Sequence, residues 1–194
     1  MIAFLRGDFV NKTPAMVHVD AGGVGYELQI SLNTYSRIQS MEKGTLLTYL
    51  HIREDAHILY GFFEAAEKEM FILLISVSGV GASTARMMLS SMKPEEIARA
   101  IAQGNTKLLE SIKGIGKKSA ERIILELRDK VGRIRDDSNN SPLINNTLEQ
   151  DALNALITLG IARSAAEQAI KKTLNGASGT DKVEDIIKKA LKIL

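Results

Sequence analysis

Through residues 1–63 the apolar positions fall on alternate residues. Val24, Tyr26, Leu28 and Ile30 share one side while Glu27, Gln29 and Ser31 share the other, and the beat returns at Leu46, Thr48, Leu50, Ile52 and again at Ile58, Tyr60, Phe62. A period of two is that of half-buried β-strands, not helices. Gly22-Gly23 lies between two such runs as a hairpin turn, and Arg53-Glu54-Asp55-Ala56 separates two more. About five strands therefore fit into this stretch, and a small closed barrel is the economical way to hide their edges.

From Glu64 the period becomes helical, with Met70, Phe71, Leu74, Ile75, then Ile97, Ile101, Leu108, Leu109, Ile123, Ile124 and Leu127 recurring at three and four. Residues 132–147 are polar and rich in Asn, too poor in large apolar side chains to bury themselves, and read as a flexible linker. After it, residues 148–194 carry three short amphipathic segments, split at Leu159-Gly160 and at Asn175–Gly179, with Thr180 or Asp181 as a helix cap. The expectation is an α+β multidomain chain: a five-stranded barrel over 1–63, an all-α region over 64–131, a linker over 132–147 and a three-helix bundle over 148–194.

Composition narrows the chemistry. The 194 residues include no Cys, which removes disulfides, thiolate metal sites and cysteine nucleophiles. The start Met1–Asp8 lacks a basic stretch leading into an apolar core, and no window is apolar enough to span a membrane, so an intracellular, cytoplasmic protein is expected. Lys and Arg number 25 against 23 Asp and Glu, and the small excess sits mostly in residues 64–131, with 11 basic and 9 acidic. Overall charge alone does not mark a nucleic-acid binder.

The informative feature is an internal repeat. At an offset of 35, residues 73–89 (LLISVSGVGASTARMML) align with residues 108–124 (LLESIKGIGKKSAERII), with 6 of 17 positions identical. Each copy reads as a helix, a tight Gly-aliphatic-Gly turn and a second helix with Ala at its fourth position. Gly79 and Gly81, like Gly114 and Gly116, allow close backbone approach, and the helix that follows offers unpaired N–H groups and the positive end of its dipole to an anion. Val80 and Ile115 would anchor the turns in the core, Ala85 and Ala120 would let the helices cross closely, and Lys113, Lys117, Lys118 and Arg122 would add charge around the second copy. Such contacts suit phosphate oxygens, position a protein on DNA without reading sequence, and weaken with salt.

The paired copies resemble the helix-hairpin-helix motif of structure-specific DNA-binding proteins. A P-loop does not fit: its earlier glycine would be Ser111, and the residue after Gly116-Lys117 is Lys118 instead of Ser or Thr. His51, Asp55 and His57 are spread over an alternating strand segment, as is His18 elsewhere, so no metal site is expected. No Ser-His-Asp arrangement has a supporting motif. A rival from another class is a repair enzyme, a glycosylase or structure-specific nuclease, since both use this hairpin. The glycosylase would need a catalytic Asp on an ordered segment beyond the turn, where the chain offers Asp136-Asp137 in the expected linker; the nuclease would need converging carboxylates. A pure protein-binding scaffold would leave the paired turns unexplained.

With the opening Met1-Ile-Ala-Phe-Leu-Arg-Gly7, Gly22-Gly-Val-Gly-Tyr-Glu27, Arg53-Glu-Asp-Ala56 leading into Leu59-Tyr-Gly-Phe62, the paired hairpins, the linker and the small helical tail, the whole chain resembles the RuvA family of Holliday-junction-binding subunits. The resemblance implies an OB-fold barrel, two helix-hairpin-helix motifs and a UBA-like tail. It implies a four-fold tetramer, one or two per four-way junction, with no cofactor and no catalysis of its own. It further implies partnership with the hexameric RuvB ATPase, and with the RuvC resolvase in a wider complex, in recombination and repair. Carried onto this sequence, Glu54 and Asp55 match the family's acidic pin, where carboxylates repel phosphates at the crossover; the residues alone suggest only a solvated hairpin tip. The phosphate-binding set is Gly79, Val80, Gly81 and Ser83 in the first turn and Gly114, Ile115, Gly116, Lys117, Lys118 and Arg122 in the second. Ser83 stands where the family often has Lys, so the first turn would lean on main-chain N–H groups. Leu156, Leu159 and Ile161 match the motor-docking surface of the tail, and read equally well as plain bundle core.

Overall fold

A computed structural model describes residues 1–138, 148–174 and 182–193. The chain divides into two compact units, 1–139 and 140–194.

The first unit opens with strands β1 (Phe4–Thr13), β2 (Met16–Asp20) and β3 (Gly25–Gln29), helix α1 (Leu32–Ile38), and strands β4 (Lys43–Ile52) and β5 (His57–Phe62). The strands close into a barrel in the order β1-β2-β3-β5-β4, antiparallel except where β3 meets β5 in parallel at Gln29 and Tyr60. This is the five-stranded closed barrel that the alternation predicts, of the OB type that the resemblance implies. Leu5, Phe9, Val17, Val19, Leu28, Ile30, Ile38, Leu46 and Leu59 fill its interior. The Gly22-Gly23 turn has positive φ at both glycines, 68° and 90°, and the Asp20 side chain accepts from Gly23 N–H at 2.6 Å. Val24, grouped by its parity with the strand, instead lies in this turn and is exposed.

Helix α1 corrects the reading of residues 1–63 as strands alone. The Ser31 hydroxyl caps it by accepting from Thr34 N–H, and Thr34 and Ile38 turn inward. Seven residues are too few for a helical period to stand out against the strand pattern on either side.

Helices α2 (Ala65–Ile75), α3 (Ala82–Ser91), α4 (Pro94–Ala102), α5 (Thr106–Glu110) and α6 (Lys117–Ser138) follow. They share a core with the outer face of the barrel: the Phe71 ring lies 4.9 Å from that of Tyr60, 5.0 Å from Phe62 and 5.5 Å from Tyr49, centroid to centroid. Barrel and helices are thus welded by aromatic packing, which adds stability beyond the buried area. Helix α6 continues to Ser138, so the start of the expected linker, 132–138, is helical. A polar composition does not stop a helix already nucleated, because each further residue adds a hydrogen bond without repeating the cost of nucleation. The remainder of that linker, like the split at Asn175–Gly179 and the proposed cap at Thr180 or Asp181, lies outside the described residues.

The second unit holds α7 (Leu148–Thr158), α8 (Arg163–Leu174) and α9 (Val183–Ile193) around a core of Ala152, Leu153, Leu156, Ala166, Ala169, Ile170, Ile186 and Ala190. Helix α7 stops at the Leu159-Gly160 turn, where Ile161 N–H reaches the Leu156 carbonyl at 3.1 Å and Gly160 N–H the Ile157 carbonyl at 3.0 Å. These two bonds satisfy carbonyls that the end of a helix would leave orphaned.

Candidate nucleic-acid interface

Each repeat forms a short turn held by the same bonds. In the first, Val80 N–H donates to the Val77 carbonyl at 3.0 Å and Ala85 N–H to the Gly81 carbonyl at 2.9 Å; in the second, Ile115 N–H donates to Ile112 at 3.1 Å and Ala120 N–H to Gly116 at 3.0 Å. Gly79 and Gly114 carry φ of 89° and 94°. Side chains rarely adopt this conformation, which explains why the first glycine of each turn recurs. Val80 and Ile115 are buried, and Ala85 and Ala120 are wholly enclosed, as the anchoring and crossing roles require.

What remains exposed is the turn backbone and the start of the next helix. Gly79, Gly81 and Ser83 face solvent in the first copy; Gly114, Gly116, Lys117 and Lys118 do so in the second. Gly81 caps α3 without a side-chain hydrogen bond. The leading N–H groups of a helix have no intrahelical acceptor, and here the exposed turn residues place them beside the positive end of the dipole. An oxyanion is the ligand that such an end favours.

Arg122 joins the two turns. Its Nη1 donates to the Ser78 carbonyl at 3.2 Å, and its Nε stands 3.9 Å from the Glu126 carboxylate. One cation of the second repeat is therefore spent partly on holding the first turn beside it, a bridge that spacing in the sequence does not show.

The first hairpin is also bound to the barrel. Arg86 Nη1 donates to the Ala15 carbonyl at 2.9 Å and to Gln29 Oε1 at 2.5 Å, Leu32 N–H reaches the Ser90 hydroxyl at 3.1 Å, and Asn33 Nδ2 bonds the carbonyls of Leu89 and Met92. Below them, Glu67 on α2 is almost completely buried and accepts from the hydroxyls of Ser31 and Thr34. Burial raises the Glu67 carboxyl above its ordinary range, the two hydroxyls pull it back, and neighbouring Glu64 adds to the rise. The phenol of Tyr60 is likewise raised by burial, against the opposing charges of Arg86 and Arg53. Sequence reasoning missed Arg86, Asn33 and Glu67, because their partners lie between 33 and 71 residues away.

Glu54 and Asp55 sit exposed on the hairpin between β4 and β5, which is closed by Arg53 N–H donating to the Ala56 carbonyl at 2.8 Å. Arg53 Nε lies 3.1 Å from Asp55 Oδ1, with 59% and 72% of the two side chains exposed, so water screens the pair. Among the described residues no three His, Asp or Glu side chains gather as metal ligands. No helix among the described residues is long and apolar enough to cross a membrane.

In the tail the three residues expected to dock the motor differ in exposure. Leu156 is fully buried and belongs to the bundle core; Ile161 is partly buried against that core; Leu159 is 62% exposed at the turn. Leu156 is thus removed from the candidate surface, since it sits on the inner face of α7, while Leu159 remains on it.

Family models match three stretches: the RuvA N-terminal domain over residues 1–61, a SAM-like helix-hairpin-helix tandem over 71–129, and the RuvA C-terminal domain over 147–194. Relatives named Holliday junction branch migration complex subunit RuvA align end to end with this chain. The one from Flavobacterium psychrophilum is 47% identical over 194 residues and that from Christiangramia forsetii 46%, each covering 100% of both chains. The relative from Cytophaga hutchinsonii is 44% identical over 198 residues, again with full coverage. With barrel, tandem hairpins and tail all matched in order, the chain belongs to the RuvA family.

Proposed function

We propose that this protein is a non-catalytic, cytoplasmic subunit that binds four-way DNA junctions as a homotetramer. It would hold them open and recruit an ATP-hydrolysing motor of the RuvB type for branch migration. The observation that carries the reading is the pair of exposed turns leading into helix amino termini, held by matching hydrogen bonds and bridged by Arg122, in the unit that also bears the acidic hairpin. In a four-fold assembly eight such turns would meet the phosphates of four duplex arms, and the Glu54 and Asp55 carboxylates would meet at the crossover, where their charge disfavours a closed backbone. The domain roles follow the order of the chain: junction opening by 1–63, arm binding by 64–138, a tether before residue 148, and motor docking by 148–194 through Leu159 and Ile161.

The test is a gel-shift titration against an immobile four-way junction and a linear duplex of equal length, at low and moderate salt, without ATP. Tight, salt-sensitive preference for the uncut junction is expected. Equal binding of both DNAs, or cleavage on adding Mg²⁺, would overturn the reading in favour of a repair enzyme. Removing residues 148–194 should spare junction binding and abolish stimulation of the motor.

A further inference from the structure

The first hairpin has a weakness that the second does not share. At Ser83 it carries a hydroxyl where the second turn carries Lys118, so it must hold phosphate mainly through main-chain N–H groups. A lysine on its long stem follows a phosphate that shifts by an ångström or two, whereas N–H donors fixed in a helix end do not. A turn of this kind works only if its helix is held still relative to the rest of the DNA-binding surface.

We propose that Arg86 is a positioning residue that clamps α3 to the barrel and thereby fixes the first phosphate turn with respect to the acidic hairpin. Arg86 lies one helical turn beyond Ser83, on the same α3 face, and both border a groove of ≈ 450 Å³ whose opposite wall is β5 from His57 to Tyr60 together with Glu27 and Gln29. Strand β5 begins two residues after Asp55, so the strand that leaves the acidic tip is the one against which α3 is braced. The guanidinium grips two separate barrel segments: the Ala15 carbonyl in the turn joining β1 to β2, and Gln29 at the end of β3. Ala15 is itself fixed, since its carbonyl also accepts from Ile30 N–H at 3.0 Å. A direct phosphate contact by Arg86 fits less well. The half-buried side chain has its donors aimed at the barrel, and the exposed carboxylate of Glu27 stands in the same groove, 3.5 Å from His18.

This inference rests on the junction-binding reading, and its test separates the two. Arg86→Met keeps the length and helix propensity of the side chain and removes the clamp; Gln29→Leu removes one of its acceptors and leaves the cation in place. Junction and duplex affinities are measured for the wild type, both variants and the double variant over a salt series, with thermal melts alongside. Each single change is expected to lower the preference for the junction over the duplex roughly tenfold or more, as loss of one charge-assisted hydrogen bond would. Duplex affinity and the salt slope should hold, and the double variant should be no worse than the poorer single one. Two outcomes would overturn the clamp. One is a slope shallower by about 0.9 in Arg86→Met with Gln29→Leu silent, which marks a lost phosphate contact. The other is unchanged preference in both variants. Should Arg86→Met fail to fold, Gln29→Leu alone decides by the same criterion. A wild type without junction preference would overturn the functional reading and the clamp together, whereas a selective wild type with equally selective variants removes the clamp alone.

Discussion

Residues 77–85 and 112–120 form the same turn twice, with the same turn bonds, φ of 89° and 94° at the first glycine and a buried aliphatic residue beneath each turn. Their surroundings differ. The second turn leads into Lys117 and Lys118, both exposed, and α6 packs against α4 and α5. The first has Ser83 at its mouth, but its helix is bonded to the barrel through Arg86, Ser90 and the carbonyls that Asn33 grasps. One copy gathers charge and the other gathers constraint. A phosphate can be held by a mobile cation or by fixed dipoles, and the choice decides how much of the surrounding fold must be rigid.

Reversing charge at the second turn should do most damage. Lys117→Glu with Lys118→Glu should weaken junction binding by about 3 kcal/mol or more, taking each charged contact at ~1.5–3 kcal/mol. The slope of log affinity against log salt should become shallower by about 1.8. Salt-series titrations check both, and an unchanged affinity would take this turn out of the interface. Next in size are Ala85→Leu and Ala120→Leu, made where both side chains are wholly buried at the helix crossings. Each should cost about 1–3 kcal/mol of folding stability by overpacking, measured by denaturant unfolding. Equal losses would establish that the two crossings are mechanically equivalent and that the asymmetry lies outside them.

Smaller still is the gain from Ser83→Lys, which gives the first turn the cation it lacks. The salt slope should steepen by about 0.9. A slope that does not move would mean that the first turn never meets phosphate closely enough for a lysine to matter.

The least effect concerns Glu67, which ties the first hairpin to α1 through Ser31 and Thr34. Its folded-state proton affinity exceeds that of the free side chain, so the native state holds the proton longer than the unfolded chain does. The contribution of Glu67 is therefore fully present below the ordinary value of 4.5 and declines as pH rises from there through the raised folded value. Glu67→Gln should remove that decline, seen as a flatter stability profile across the same pH range in chemical unfolding. Persistence of the full slope would assign it to another group.

Much of this molecule is legible in one dimension. Strands announce themselves by parity, the hairpin motifs by recurrence at a fixed offset, and the turn glycines by a backbone conformation that few other residues accept. All of these are local: each depends on neighbours within a few residues, where side-chain period and backbone sterics dominate. The helix α1 between strands escaped, since a seven-residue segment between two strands offers too few repeats of its period. The extent of α6 escaped as well, because polar residues that look like a linker extend a helix at little cost.

The candidate interface divides along the same line. The sequence by itself determined which residues could meet phosphate, because helix-end chemistry and charge reside in the motif. It also supplied an acidic tip between two strands. Only the tertiary structure decided that Arg122 spends a bond on Ser78, that Arg86 spans to Ala15 and Gln29, that Glu67 closes the seam between barrel and helices, and that Leu156 faces inward while Leu159 does not. These are pairings over long stretches of chain or choices between two faces of one helix. A linear pattern leaves them open, because the partner is selected by which surfaces meet once the cores have closed.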